Sequence, residues 1–224
     1  MEQILKTGRR RPACTSCLRP QSACICQWIR QTTHQVEVLI LQHPLEVAHA
    51  KGSARLLHLS LARSRLVTGE VFAEHDLLAL LTAAFEQGET CTTQANADRS
   101  RKAVLLYPDW QHDRVLGLPA PPALEPAWLK DPCRLRLVVL DGTWRKSRKM
   151  LHANPLLQQL PRLSLQGLLA SRYLIRKAHR PDQLSTLEAT CAALAQLENS
   201  VENFQPLLTA FDGFVAQQLV YRGK

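Results

Sequence analysis

Residues 138–151 read VVLDGTWRKSRKML: an apolar run, a carboxylate at Asp141, a glycine, a hydroxyl, a tryptophan, then four cations at Arg145, Lys146, Arg148 and Lys149. A carboxylate at a strand end, partly desolvated, can act as a general base near neutral pH, because burial favours its protonated form. If a helix follows, Arg145, Arg148 and Lys149 share one face while Met150 and Leu151 turn toward the core. One basic face alone reads as a solvated surface. A second cluster, Arg172, Arg176, Lys177 and Arg180 in SRYLIRKAHR, makes two, and two cationic patches suit a polyphosphate partner.

A different chemistry lies near the start. Cys14-x2-Cys17-x6-Cys24-x-Cys26 brings four thiols within reach of one tetrahedral ion, in a segment too short to build its own core. Structural zinc is the expectation; two disulfides are the alternative, disfavoured in a reducing cytoplasm. Cys91, Cys133 and Cys191 are scattered and read as buried, inert thiols. Arg9, Arg10, Arg11, Arg19 and Arg30 flank the cluster and fit either a clamp on a nucleic-acid backbone or a solvated basic tail.

Other strand ends carry polar signatures. VEVLILQ runs into His43-Pro44-Leu45-Glu46, AVLLY into Pro108, and LRLVVL into Asp141-Gly142-Thr143-Trp144. In open parallel sheets ligands bind beyond the carboxyl ends of strands, where helix N-termini offer N–H groups. Ser185 and Glu188 in STLE form an S-x-x-E capping box, and a contact to substrate is equally compatible with them. There is no G-x-G-x-x-G, P-loop, H-E-x-x-H, G-x-S-x-G or close carboxylate pair, which excludes ordinary dinucleotide binding, P-loop NTPases and the common hydrolase sites.

Strands and helices must position these groups. Nearly continuous apolar runs at 36–42, 103–108 and 135–140 read as strands covered on both faces. Helical patterns lie between them at 46–62 and 76–87, and two more, 185–200 and 206–221, close the chain. The alternation predicts an α/β fold with a mostly parallel sheet and flanking helices. The proline-rich stretch 108–128 reads as an ordered excursion. The division expected is a four-cysteine zinc-binding module over 1–33 and a catalytic domain over 34–224. A chain of 224 residues with 46% hydrophobic content can bury a substantial core, and its net charge of +9 suggests a polyanion. Neither a secretory signal nor a membrane span is evident, so the expected location is cytoplasmic.

The cysteine cluster, LQHPLEVAHAKGSARLL, LLYP, VVLDGTWRKSRKM and RYLIRKAHRPDQLSTLEA occur in the order seen in DTW-domain proteins, which the sequence therefore resembles from Cys14 to about Glu188. Within that family it is similar to the bacterial tRNA-uridine aminocarboxypropyltransferases. The resemblance implies a SPOUT-like, knotted sheet and transfer of the 3-amino-3-carboxypropyl group of S-adenosylmethionine to N3 of a tRNA uridine, releasing methylthioadenosine. Asp141 is then the expected base. Leu106, Tyr107, Pro108, Leu140, Gly142, Thr143, Ser185, Thr186 and Glu188 are expected around the donor. Trp144 stacks on adenine or on the target base, or belongs to the core. Arg176 or Lys177 meets the donor's carboxylate or a tRNA phosphate, and His43 and Glu46 bind its amino group or cap the following helix. Arg145, Arg148, Lys149, Arg172 and Arg180 are expected on tRNA. The rival readings are a methyltransferase on the same fold, aminocarboxypropyl transfer to rRNA, and a zinc-dependent RNA-binding protein without catalysis; monomer or homodimer is left open.

Overall fold

A computed structural model of the chain describes residues 12–85, 100–108, 117–165 and 184–220. The three apolar runs form the middle of a sheet: β1 (Glu37–Gln42), β3 (Lys102–Leu106) and β4 (Leu135–Asp141). Two strands that the sequence does not announce complete it, β2 (Ser64–Thr68) and β5 (Arg162–Leu163). Every neighbouring pair is parallel and the order is β2-β1-β4-β3-β5. Each residue of β1 and β4 is buried, whereas β2 is largely half-buried or exposed. An edge strand contacts the core on one side only and can keep polar residues such as Ser64 and Arg65, which is why its pattern is faint.

Alternation along the strands feeds two core layers. Val38, Ile40, Leu137 and Val139 face one layer, together with residues of α1 (Ala54–Ser60), α5 (Thr186–Glu198) and α6 (Gln205–Val220). Leu39, Leu41, Val138 and Leu140 face the other, with α2 (Glu74–Thr82), α3 (Trp144–Ala153) and α4 (Pro155–Gln158). With both faces covered, the strands need apolar residues at every position, at about 1.5–3 kcal/mol for each buried Val or Leu. Helix α1 is shorter than the pattern over 46–62 suggested: Pro44–Glu46 is a 3-10 turn, and the helix begins only after Ser53.

Two charges interrupt the apolar strands at their amino ends. Glu37 and Arg136 are register partners, and Arg136, 0% exposed, donates to Glu37 and to the carbonyls of Leu80 and Ala83 while lying over the Phe85 ring at 4.0 Å. Arg101 and Arg63 also pair with Glu37. Buried charges persist only when so paired.

The cysteine segment lies on this scaffold. Arg19 donates to the carbonyls of Ala50 (2.6 Å) and Gly52 (2.8 Å), and its guanidinium lies 5.3 Å from the Phe214 ring centroid. Arg30 donates to Gln27 and Ile29 of its own turn. Arg19 thus ties the cysteine segment to the scaffold, while Arg30 is exposed and its guanidinium is bonded within its own turn. Trp28 packs its ring against Gly213 of α6 and donates to Gln217. Arg9, Arg10 and Arg11 lie outside the described residues, as does residue 91.

From β1 the chain crosses to β2 on one side, and from β4 it proceeds to β5 on the other, so the carboxyl ends of these two central neighbours flank a topological switch point. Such a crevice is where open α/β sheets bind ligands. The knotted path is not a property of strand order, and 166–183, joining β5 to α5, lies outside the described residues. Among the described residues no helix is long and apolar enough to cross a membrane.

Candidate active site

Asp141, the last residue of β4, faces Gln42, the last of β1, in register. Gln42 Nε2 donates to Asp141 Oδ2 at 2.8 Å, Thr186 Oγ1 donates to Oδ1 at 2.7 Å, and the His43 N–H donates to the Asp141 carbonyl at 2.9 Å. The residue is only 5% exposed, so its carboxylate is fixed at the floor of the switch-point crevice with both oxygens acting as acceptors. Thr186 reaches it because Ser185 caps α5. The Ser185 N–H donates to Glu188 Oε2 (2.8 Å) and the Glu188 N–H to Ser185 Oγ (3.2 Å), a complete capping box. The STLE motif is thus a helix start that delivers its second residue to Asp141.

On the other side of Asp141 the chain turns into α3. Thr143 is the N-cap, accepting from the Lys146 N–H at 3.4 Å. A side chain at Gly142 would meet Lys146 Cβ at 3.1 Å, so glycine lets the first helical turn press against the strand end. Met150 and Leu151 are buried and Arg145 and Lys149 exposed, as the spacing predicts, while Arg148 is half-buried. Trp144 is 38% exposed and so is not core. It sits edge-on to buried Tyr107, with ring centroids 5.6 Å apart, and Arg162 lies over the Tyr107 ring at 5.0 Å. Leu106 and Pro108 are half-buried and Leu140 is buried, all at the carboxyl ends of β3 and β4.

Three acid–base contacts tie the rim. Lys146 Nζ lies 2.8 Å from Glu46 Oε1, Lys149 Nζ lies 2.7 Å from Glu70 Oε1, and His43 Nε2 lies 2.6 Å from Glu70 Oε2. His43 Nδ1 accepts from the Leu45 N–H at 3.1 Å, which assigns the proton to Nε2 and makes it the donor to Glu70. Both ring nitrogens of His43 are therefore used within the chain. The Lys149 ammonium and then His43 hold the Glu70 carboxyl below the usual carboxylate range. Sequence reasoning missed Gln42, Glu70 and the pairing of Lys146. Gln42 is a strand residue until the β1–β4 register is known, and Glu70 follows the faint β2 and carries no signal of its own. Arg172, Arg176, Lys177 and Arg180 lie outside the described residues.

The four clustered cysteines come together. Their sulfur atoms all lie within 4.8 Å of one another, with Cys14–Cys26 at 3.6 Å and Cys17–Cys24 at 3.8 Å. A tetrahedral zinc with Zn–S bonds near 2.3 Å would space its sulfurs by about 3.8 Å, so the set fits that ion. The thiols differ in their surroundings: the N–H groups of Cys17 and Ser16 pull Cys14 down to about 6, and burial, with Cys14, pushes Cys26 up to about 12. All four are free thiols. Cys191 is buried and burial raises its pKa, as expected of an inert thiol, but Cys133 is half-buried and disulfide-bonded, which corrects its reading as a buried free thiol.

A parallel α/β sheet with a carboxylate at its switch point, an aromatic step beside it and a cluster of four cysteines defines the setting. Residues 11–219 match the DTW domain, and the chain belongs to that family. It is similar to proteins named tRNA-uridine aminocarboxypropyltransferase 2 from Drosophila melanogaster (29% identity over 214 residues, 94% of this chain and 76% of the relative) and Mus musculus (26% over 201 residues, 86% and 59%). A tRNA-uridine aminocarboxypropyltransferase A of Arabidopsis thaliana is 24% identical over 168 residues, covering 69% of this chain and 55% of the relative. The chain thus spans about three fifths of the mouse relative's length. No solved structure matches it.

Proposed function

We propose that this DTW-domain protein transfers the 3-amino-3-carboxypropyl group of S-adenosylmethionine to N3 of a uridine in tRNA. Uridine N3 is protonated at neutral pH and a poor nucleophile. Asp141 accepts that proton, N3 forms a bond to the carbon attached to sulfur, and the carbon–sulfur bond breaks with its electron pair going to sulfur. Methylthioadenosine leaves and the sulfonium charge is discharged. The rest is alignment, since a sulfonium is already a good leaving group. The observation that supports this reading best is Asp141 itself, a buried carboxylate locked by Gln42 and Thr186 at the crevice where a parallel sheet binds ligands.

The adenosine of the donor is assigned to the carboxyl ends of β3 and β4, around Leu106, Tyr107, Pro108, Leu140 and Gly142, with the exposed Trp144 ring stacking on adenine or on the target base. Arg145, Arg148 and Lys149 take tRNA phosphates, joined by Arg172, Arg176, Lys177 and Arg180 on the strength of the sequence alone. An N3 edge occupied in base pairing requires an unpaired or flipped uridine. The four cysteines hold a structural zinc in a module ending near residue 33. Incubation of the purified protein with S-adenosylmethionine and bulk tRNA, followed by mass spectrometry, tests the reading. Aminocarboxypropyl-uridine with methylthioadenosine is expected. Methylated nucleoside with S-adenosylhomocysteine would assign methyl transfer, and no product would leave an RNA-binding protein.

A further inference from the structure

Whatever transfers an amino-acid side arm must hold that arm by its two charges, an ammonium and a carboxylate on one carbon. Two bonds from that carbon is the one attacked. A site for this zwitterion therefore needs an acid and a base, side by side, beside the catalytic group, each with hydrogen-bonding capacity to spare. Most acids around the crevice fail the last condition. Asp141 holds Gln42 and Thr186 and is reserved for the uridine N3 proton, and Glu70 already carries two cationic or donor partners, His43 and Lys149. Glu188 is committed to its capping box.

Glu46 and Lys146 meet it. Their 2.8 Å contact occupies one carboxylate oxygen and one of three ammonium hydrogens, and neither side chain has another hydrogen-bond or ion-pair partner among the described residues. Both remain accessible, Lys146 at 27% and Glu46 at 13% of their side-chain surface. Both are tied to the backbone around Asp141. The Lys146 stem packs over Gly142, the residue after Asp141, and the Glu46 N–H donates to the carbonyl of His43, whose own N–H donates to the Asp141 carbonyl. An ion pair with open valences on both ends is complementary to a zwitterion laid antiparallel to it, with ammonium on carboxylate and carboxylate on ammonium.

We propose that the Glu46–Lys146 pair reads the amino-acid end of the donor, Glu46 taking its ammonium and Lys146 its carboxylate. This rests on the donor proposed above and adds what chooses the reacting arm. With the zwitterion anchored beside Asp141, the aminocarboxypropyl carbon is turned toward the base and the methyl is turned away.

The test is binding, by calorimetry on the zinc-loaded full chain, of three ligands: S-adenosylmethionine, its decarboxylated form, which keeps the ammonium and lacks the carboxylate, and methylthioadenosine, which lacks both. Charge-assisted hydrogen bonds of this kind set the expected preference of the unaltered protein for S-adenosylmethionine over the decarboxylated form at about tenfold or more. Lys146→Met should weaken S-adenosylmethionine alone and bring that ratio close to one. Glu46→Gln should weaken both ammonium-bearing ligands, and neither change should alter methylthioadenosine binding. Equal losses for all three ligands in Lys146→Met would reduce the pair to a structural staple and overturn the proposal, as would an unchanged ratio. If the unaltered protein binds S-adenosylmethionine but the ratio ignores Lys146, only this inference falls; if it binds none of the three, the donor reading itself falls.

Discussion

At the scale of single residues, Asp141 is held as a catalytic base should be, with fixed orientation, little water and defined donors. Asp141→Asn keeps an acceptor for Thr186, and the Gln42 amide can turn to accept from the new NH2, so the fold should survive. Transfer should drop by about a hundredfold or more, the range of general-base catalysis, while tRNA affinity persists. Single-turnover assays and filter binding check both, and turnover retained near the original rate removes Asp141 from that role. His34 carries a pH dependence of another kind. Its Nδ1 donates to the Val36 carbonyl, its Nε2 accepts from the Arg63 N–H, and burial pushes its pKa down. Because the unfolded chain takes up the proton first, the stability that depends on neutral His34 is complete above about pH 6.5 and is lost as pH falls. His58, also depressed by burial, adds to that slope, and Glu198, raised by burial, opposes it. Urea unfolding at pH 7.5 and 5.5 should show a loss of stability that shrinks in His34→Gln. Asp141 was legible because an acid after an apolar run is conspicuous. Gln42 was not, because its importance comes from a strand partner 99 positions away.

At the scale of elements, the sequence shows well whatever is buried on both faces. The patterns at 185–200 and 206–221 became α5 and α6 within a residue or two, and α3 turned its apolar residues inward as its spacing required. The edge strands stayed hidden because half-exposed residues leave little pattern. Also unreadable was the purpose of Gly213, a poor helix former in the middle of α6. A Cβ there would lie 2.1 Å from the Trp28 ring. Gly213→Ala gains about 1 kcal/mol of helix propensity, but overpacking costs about 1–3 kcal/mol, and rigid aromatic neighbours favour the upper end. A net loss of stability is expected, accompanied by greater solvent exposure of Trp28 in fluorescence quenching. A stabilised variant would show that the cysteine segment seats elsewhere.

At the scale of the molecule, the cysteine cluster, the first helix and the last helix form one connected body. Arg19 and Arg55 join the cluster to the start of α1 through Ala50, Gly52 and Ser16, Ser53 Oγ accepts the Leu187 N–H of α5 at 3.3 Å, and Trp28 is bound to α6. Metal loss should therefore be felt throughout. In Cys24→Ser, zinc content by atomic absorption and the midpoint of thermal unfolding should fall together, and an unaltered midpoint would argue against a structural ion. The all-parallel strand order has a further consequence, for the chain during its synthesis. Its middle strand, β4, is the fourth to be made, and β1 is bordered by β2 alone until some hundred residues later, when β4 arrives. The nascent polypeptide cannot close its sheet early, and it cannot bring Asp141 to Gln42 before closure. Ribosome-bound intermediates halted ahead of β4 should thus be chaperone clients carrying a half-built sheet, and the Gln42–Asp141 contact should form in the same step as the pairing of the two strands that carry it.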